Sequence, residues 1–168
     1  MSQTSVGEQG IARVGLLADL GLRDTLSFAG EEAIPFGALV VRGTNAEKQC
    51  KLPAADTDIS DAKKVLGVAV AVQTQEVPFP TNTANPTYIK DYTVSVLTFG
   101  RIWVRTESAA TDPTKDVYVR HTAAGALNVI GGFSDAAGTG LEKLDNAKWM
   151  GNDRMVDGVQ LALLQVRL

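Results

Sequence analysis

Short valine-rich runs, in which large apolar residues alternate with small or polar ones, recur along this chain and constrain it toward strands. The clearest is 65–72, where Leu66, Val68, Val70 and Val72 fall on one face and Gly67, Ala69 and Ala71 on the other. A period of two is the signature of a strand, because successive side chains leave opposite faces of the pleat. A large face beside a small one predicts burial on one side and close approach of backbone or another subunit on the other. Residues 34–43 open with Pro35, which suits the start of a strand. A turn at 43–45 leads to a returning strand over 47–52, which Pro53 stops; 54–64 reads as a polar loop with a helical turn near 60–64. Pro78, Pro80 and Pro86 mark a loop.

Residues 92–98 alternate again, Phe99-Gly100 bends the chain, and 101–105 follows. In that last run Ile102 and Val104 cannot share a face with Trp103. Residues 116–120 and 127–130 read as a hairpin about 123–125, 131–141 as a small-residue loop, 148–150 as a short strand and 159–168 as a closing strand. The spacing predicts an all-β fold, a compact barrel or sandwich of about seven to nine short strands, occupying 27–168 as one domain.

Ahead of it lies an arm over 1–26. Its first dozen residues are polar; the rest carries Val14, Leu16, Leu17, Leu20 and Leu22, interrupted by Gly15 and Gly21. Glycines so placed disfavour a helix and favour an extended segment. Two dockings stand open: as an edge strand on its own domain, or onto a neighbour.

Composition narrows the function. A chain of 168 residues can bury a substantial core, and with aromatics at only 6% that core is mostly aliphatic. Net charge is −3 and the sixteen basic residues are scattered, which argues against nucleic acid as a partner. No apolar run approaches the roughly 18 residues of a membrane span, and the polar start lacks the apolar core of a signal peptide. The expectation is a protein made and used without classical secretion.

Catalytic chemistry is sparse. One cysteine, Cys50, and one histidine, His121, could form a nucleophile–base pair, but no oxyanion motif accompanies either. A buried thiol and a turn histidine are the expected roles. Asp56, Asp58 and Ser60 mimic the start of a calcium loop, but its sixth position is Asp61 in place of glycine and its twelfth is Gly67 in place of glutamate. The glycines at 131, 132, 138 and 140 lack the spacing of a phosphate cradle. Glu31-Glu32 reads as a charged turn, and Trp103 and Trp149 as core or interface anchors. No catalytic residue, metal or cofactor is expected.

The order of segments carries a resemblance. Gly15-Leu-Leu-Ala-Asp19, Ala33-Ile-Pro-Phe-Gly-Ala-Leu-Val-Val-Arg-Gly43 and Val65-Leu-Gly-Val-Ala69 come first. Thr93-Val-Ser-Val-Leu97, Gly100-Arg-Ile-Trp-Val104, Asp116-Val-Tyr-Val-Arg120 and Leu161-Ala-Leu-Leu-Gln-Val166 follow. In that order they resemble the head decoration, or structural cement, proteins of tailed bacteriophages. The resemblance implies a non-enzymatic β-domain on the outer surface of the virion capsid, bound to the major capsid protein and assembled as a homotrimer. The contact surfaces expected on this reading are the arm residues Val14, Leu16, Leu17, Leu20 and Leu22 and the small face Gly67, Ala69 and Ala71. The rival is an adhesion or carbohydrate-binding β-module using Trp103, Trp149 or Tyr88. A small enzyme using Asp56, Asp58 or Glu107 is the third reading.

Overall fold

The computed structural model describes residues 13–18, 21–72, 87–125, 128–151, 153–156 and 158–168. Among them, strands dominate. The chain runs through β1 (Asp24–Gly30), β2 (Ile34–Pro35), β3 (Leu39–Arg42), β4 (Gln49–Lys51), the helix α1 (Asp56–Ser60), β5 (Val65–Ala69), β6 (Thr87–Tyr88) and β7 (Thr93–Arg105). The chain continues with β8 (Val117–Arg120), β9 (Phe133–Ser134), β10 (Leu141–Leu144), β11 (Ala147–Trp149), β12 (Arg154–Val156) and β13 (Val159–Arg167). The all-β expectation holds, and the architecture is a closed five-strand barrel with further strands outside it. The ring runs β1-β4-β3-β5-β7 and closes by pairing of β7 with β1; β1 and β4 are parallel and the other pairs antiparallel. Closure leaves no open edge in the ring.

Each ring strand sends side chains to one cluster, the barrel interior: Phe28, Val40, Cys50, Leu66, Ala69, Val94 and Val96, joined by Phe36 and Tyr88. Phe36 and Tyr88 meet edge-to-face at 4.9 Å. A second core lies outside the wall. Leu39, Val65, Val68, Val70 and Leu97 pack there against Val117, Val119, Phe133, Leu144, Trp149 and Leu164. The small sheet β10-β8-β9 covers this side.

The alternation read at 65–72 breaks at Gly67. Val65, Val68 and Val70 reach the outer core while Leu66 and Ala69 reach the interior. The β3–β5 register explains it: Val40 pairs with Gly67 and Val41 with Val65, so Leu66 is bulged out and the phase flips. β5 lies between the two cores, and all five of its residues are buried.

β7 is one strand of 13 residues, not two. Its first half pairs with β1 and β5, and its second half leaves the ring to pair with β13. Ile102 and Val104 face the outer core, whereas Trp103 faces a third cluster with Val159, Leu161 and Leu163. Both faces are covered at 102–104, while Arg101, on the Trp103 face, remains exposed. β8 pairs with β9 and β10 rather than with 128–130; Leu127 lies outside the described residues. Helix α1 spans Asp56–Ser60, ahead of the turn expected at 60–64. β1 also takes Asp24–Leu26 out of the expected arm, pairing them with Phe99, Leu97 and Val96.

Candidate functional site

The described part of the arm docks on its own domain. Gly15 N donates to Trp103 O at 2.7 Å, Trp103 N to Leu16 O at 2.9 Å and Ala18 N to Arg101 O at 3.0 Å. Leu17 and Ile102 form an antiparallel bridge. On the other side, Ala71 N donates to Gly15 O at 2.7 Å. Val14 and Ala18 cover the Trp103 cluster, and Leu17 packs on the outer core. Of the two dockings open in the sequence, residues 14–18 therefore take the edge-strand one.

The expected contact residues separate accordingly. Leu22 is 89% exposed and Leu16 36%; Leu20 lies outside the described residues. Val14 and Leu17 are half-buried against the domain. The small face is not a free surface: Gly67 and Ala69 are buried and Ala71 is half-buried beside the arm. A Cβ on Gly67 would enter the carbonyl oxygen of Leu97 and lie 2.7 Å from Val96 Cγ1. The close approach expected of these small residues is thus made by β7 of the same chain.

Among the described residues, the other large apolar ones left exposed are Leu26, Ile89, Tyr92, Phe99 and Met155. Leu26 and Phe99 lie near Leu22 at one end of the β1–β7 ribbon, where Asp24 pairs with Phe99. Arg167 stacks 6.0 Å from the Phe99 ring. Tyr92 lies at the ribbon's other end, its carbonyl accepting from Gly30 N at 3.0 Å. Only Met155 lies elsewhere, on β12.

The residues considered for catalysis have structural partners. Cys50 is fully buried in the barrel interior, and burial, with Glu31 and Glu32 adding to it, pushes its thiol up to about 12. It is protonated at neutral pH and no nucleophile. His121 Nε2 meets Asp56 Oδ1 at 2.8 Å, joining β8 to α1. Asp58 accepts from Ala54 N at 3.1 Å and from Lys64 at 3.1 Å. Burial alone would raise its pKa, but those donors outweigh it and hold it below the ordinary value. Glu31 accepts from Thr44 N at 2.6 Å and Glu32 from Leu52 N at 2.9 Å. Among the described residues no three His, Cys, Asp or Glu side chains form a metal-binding group.

Glu107, considered as an acid, instead forms a two-pronged ion pair with Arg120, through Nε and, at 2.7 Å, through the second terminal nitrogen. Nearby, Asp135 accepts from Ser108 Oγ and from Lys115 at 3.2 Å, and Asp153 accepts from Thr111 Oγ1 at 2.6 Å. These carboxylates tie down the 106–116 loop. Trp149 is 2% exposed and its indole donates to Asp116 O at 3.2 Å; Trp103 is 5% exposed and Tyr88 0%. None of the three offers a ring face for a sugar.

Residues 2–167 match the model of a family described as "Structural cement protein (E217 gp24/Pam3 gp6)". The chain belongs to this family of phage structural cement proteins. A solved structure titled "The capsid of Myoviridae Phage XM1" contains a chain of the same fold, with a TM-score of 0.62 and 17% sequence identity over 96% of each chain. No curated protein matches. The family is a structural one associated with the phage capsid and so with the virion.

Proposed function

We propose that this protein binds the outer surface of the assembled phage head and joins neighbouring major capsid protein subunits, acting as a homotrimer without enzymatic activity. The observation that carries the reading is the family match over 2–167, nearly the whole chain. Two features support it: the candidate catalytic groups are engaged in structural contacts, and exposed apolar side chains flank both ends of the β1–β7 ribbon. In this reading Leu16 and Leu22 make the contacts with the shell. Val14, Leu17, Gly67, Ala69 and Ala71 support that surface from within the chain.

A ligand that binds the assembled shell and not free subunits stabilises the shell by mass action, by about 2.7 kcal/mol per site at a free concentration 100 times Kd. A trimer that grips several shell subunits at once raises the effective concentration further. A specific contact of this kind buries on the order of 1,200–2,000 Å² in total.

The test is add-back. Heads lacking this protein should release their contents at a lower temperature than heads resupplied with it, and Leu22→Ser should blunt the rescue. Equal release temperatures with and without bound protein would refute the cement role. The carbohydrate-binding alternative receives no support from Trp103, Trp149 or Tyr88, which are buried.

A further inference from the structure

The arm does more than lie on the surface. Its backbone crosses the chain at two glycines facing each other. Gly15 and Gly37 both have left-handed φ values, +77° and +71°. A Cβ on Gly15 would lie 2.9 Å from both Gly37 N and Ala71 N; one on Gly37 would lie 2.8 Å from Val14 Cγ1 and 2.9 Å from Gly15 N. Neither position has room for a side chain. The five-strand ring, in contrast, closes through strand pairs that do not include this segment. The segment caps the third cluster, outside the ring, where Val14 and Ala18 cover Trp103 with Met150 and Val156; Val14 also touches the barrel-interior cluster and Leu17 the outer core. Among the described residues Trp103 Nε1 is buried without a hydrogen-bond partner, and the ring is covered by these apolar side chains and by Arg154, 6.0 Å from its centre.

We propose that the edge of β7 at 101–103, crossed at Gly37, is a strand-accepting groove whose ligand is a peptide of the type Val-Gly-Leu-Leu-Ala, turned at its glycine and paired with β7 after it. In this protein residues 14–18 fill it as a strap that can leave while the barrel stays closed. Specificity lies at the glycine, since any other residue there meets the backbone of Gly37. Affinity comes from the ladder to Trp103 and Arg101 and from the apolar cover given by Val14 and Ala18. The proposal is independent of capsid binding.

The test uses amide hydrogen exchange on the full-length protein. Gly15→Val places a β-branched residue at a left-handed position, which by itself disfavours the seated strap by about tenfold or more. The amides of Ala18, Ala71 and Trp103 should therefore lose protection by at least about that factor. Those of Phe28, Val94 and Val96 in the ring should keep theirs. Adding a synthetic peptide of residues 10–20 to the Gly15→Val protein should restore protection at Ala71 and Trp103, and the same peptide carrying Gly15→Val should not. Unchanged protection, loss spread evenly through the ring, or a released strap whose groove ignores the wild-type peptide would each overturn the proposal.

Discussion

Glu107→Ala should be among the most damaging single changes outside the hydrophobic core. The Arg120 and Glu107 side chains are 7% and 12% exposed. The guanidinium uses Nε and one terminal nitrogen on the carboxylate, and its other terminal nitrogen reaches only Thr122 O at 3.2 Å and Thr139 O at 3.3 Å. Removing the carboxylate leaves a buried cation with two long carbonyl bonds. Breaking a buried pair from one side costs about 3–5 kcal/mol; because a small part of both groups reaches water, the lower end, about 3 kcal/mol, applies here. For a chain of this size that corresponds to a drop in Tm of about 6–12 °C. The double variant Glu107→Leu/Arg120→Met removes both charges and should recover most of the loss. Urea denaturation is the assay, read as a shift in midpoint at unchanged slope. If Glu107→Ala costs less than about 1 kcal/mol, the pair behaves like a surface ion pair and the reasoning fails.

Three further outcomes follow from the same structure. Gly67→Ala should destabilise by about 1–3 kcal/mol through overpacking against Leu97 and Val96, seen as a lower urea midpoint; a neutral result would mean β5 and β7 can separate without cost. Burial alone would raise the Asp135 carboxyl, but the Ser108 hydroxyl and the Lys115 ammonium outweigh it and hold it below its ordinary value of 3.8. A depressed folded pKa gives stability that is present above the unfolded value and lost as pH falls below it, so Asp135→Asn should flatten the acid limb of the stability profile below that pH. An unaltered acid limb would remove Asp135 from the account. Cys50 should stay unreactive to a thiol reagent at neutral pH until denaturant unfolds the chain; prompt labelling of the native protein would contradict its burial.

What the sequence made legible follows from which physics is local. Alternation exposed the first half of β7, and apolar runs exposed β3 and β13. β1 escaped because its first residues, Asp24, Thr25, Leu26 and Ser27, are all exposed, and only Phe28 and Gly30 are buried. β9 lies inside the small-residue stretch 131–141 and β10 starts at its end; both are strands through pairing with β8, a contact distant in sequence. The bulge at Leu66 was hidden because a strict reading of 65–72 looks regular; only the register with β3 reveals the flip. The same flip turned Gly67 and Ala69 from an expected outer contact into internal packing. Trp103 set an either-or that the fold answers with two cores, one on each face of β7. The arm's docking depends on Gly37, twenty-two residues from Gly15, and no local pattern links them. The glycines' presence was visible, but their meeting was not.

A cement for the assembled shell must bind the shell and not its free subunits. Titrating this protein against purified heads that lack it, and separately against dissociated major capsid protein, separates the two. Sedimentation should show saturation at a fixed copy number per head and no binding to dissociated subunits. No binding to heads by the folded protein, or equal affinity for free subunits, would contradict it.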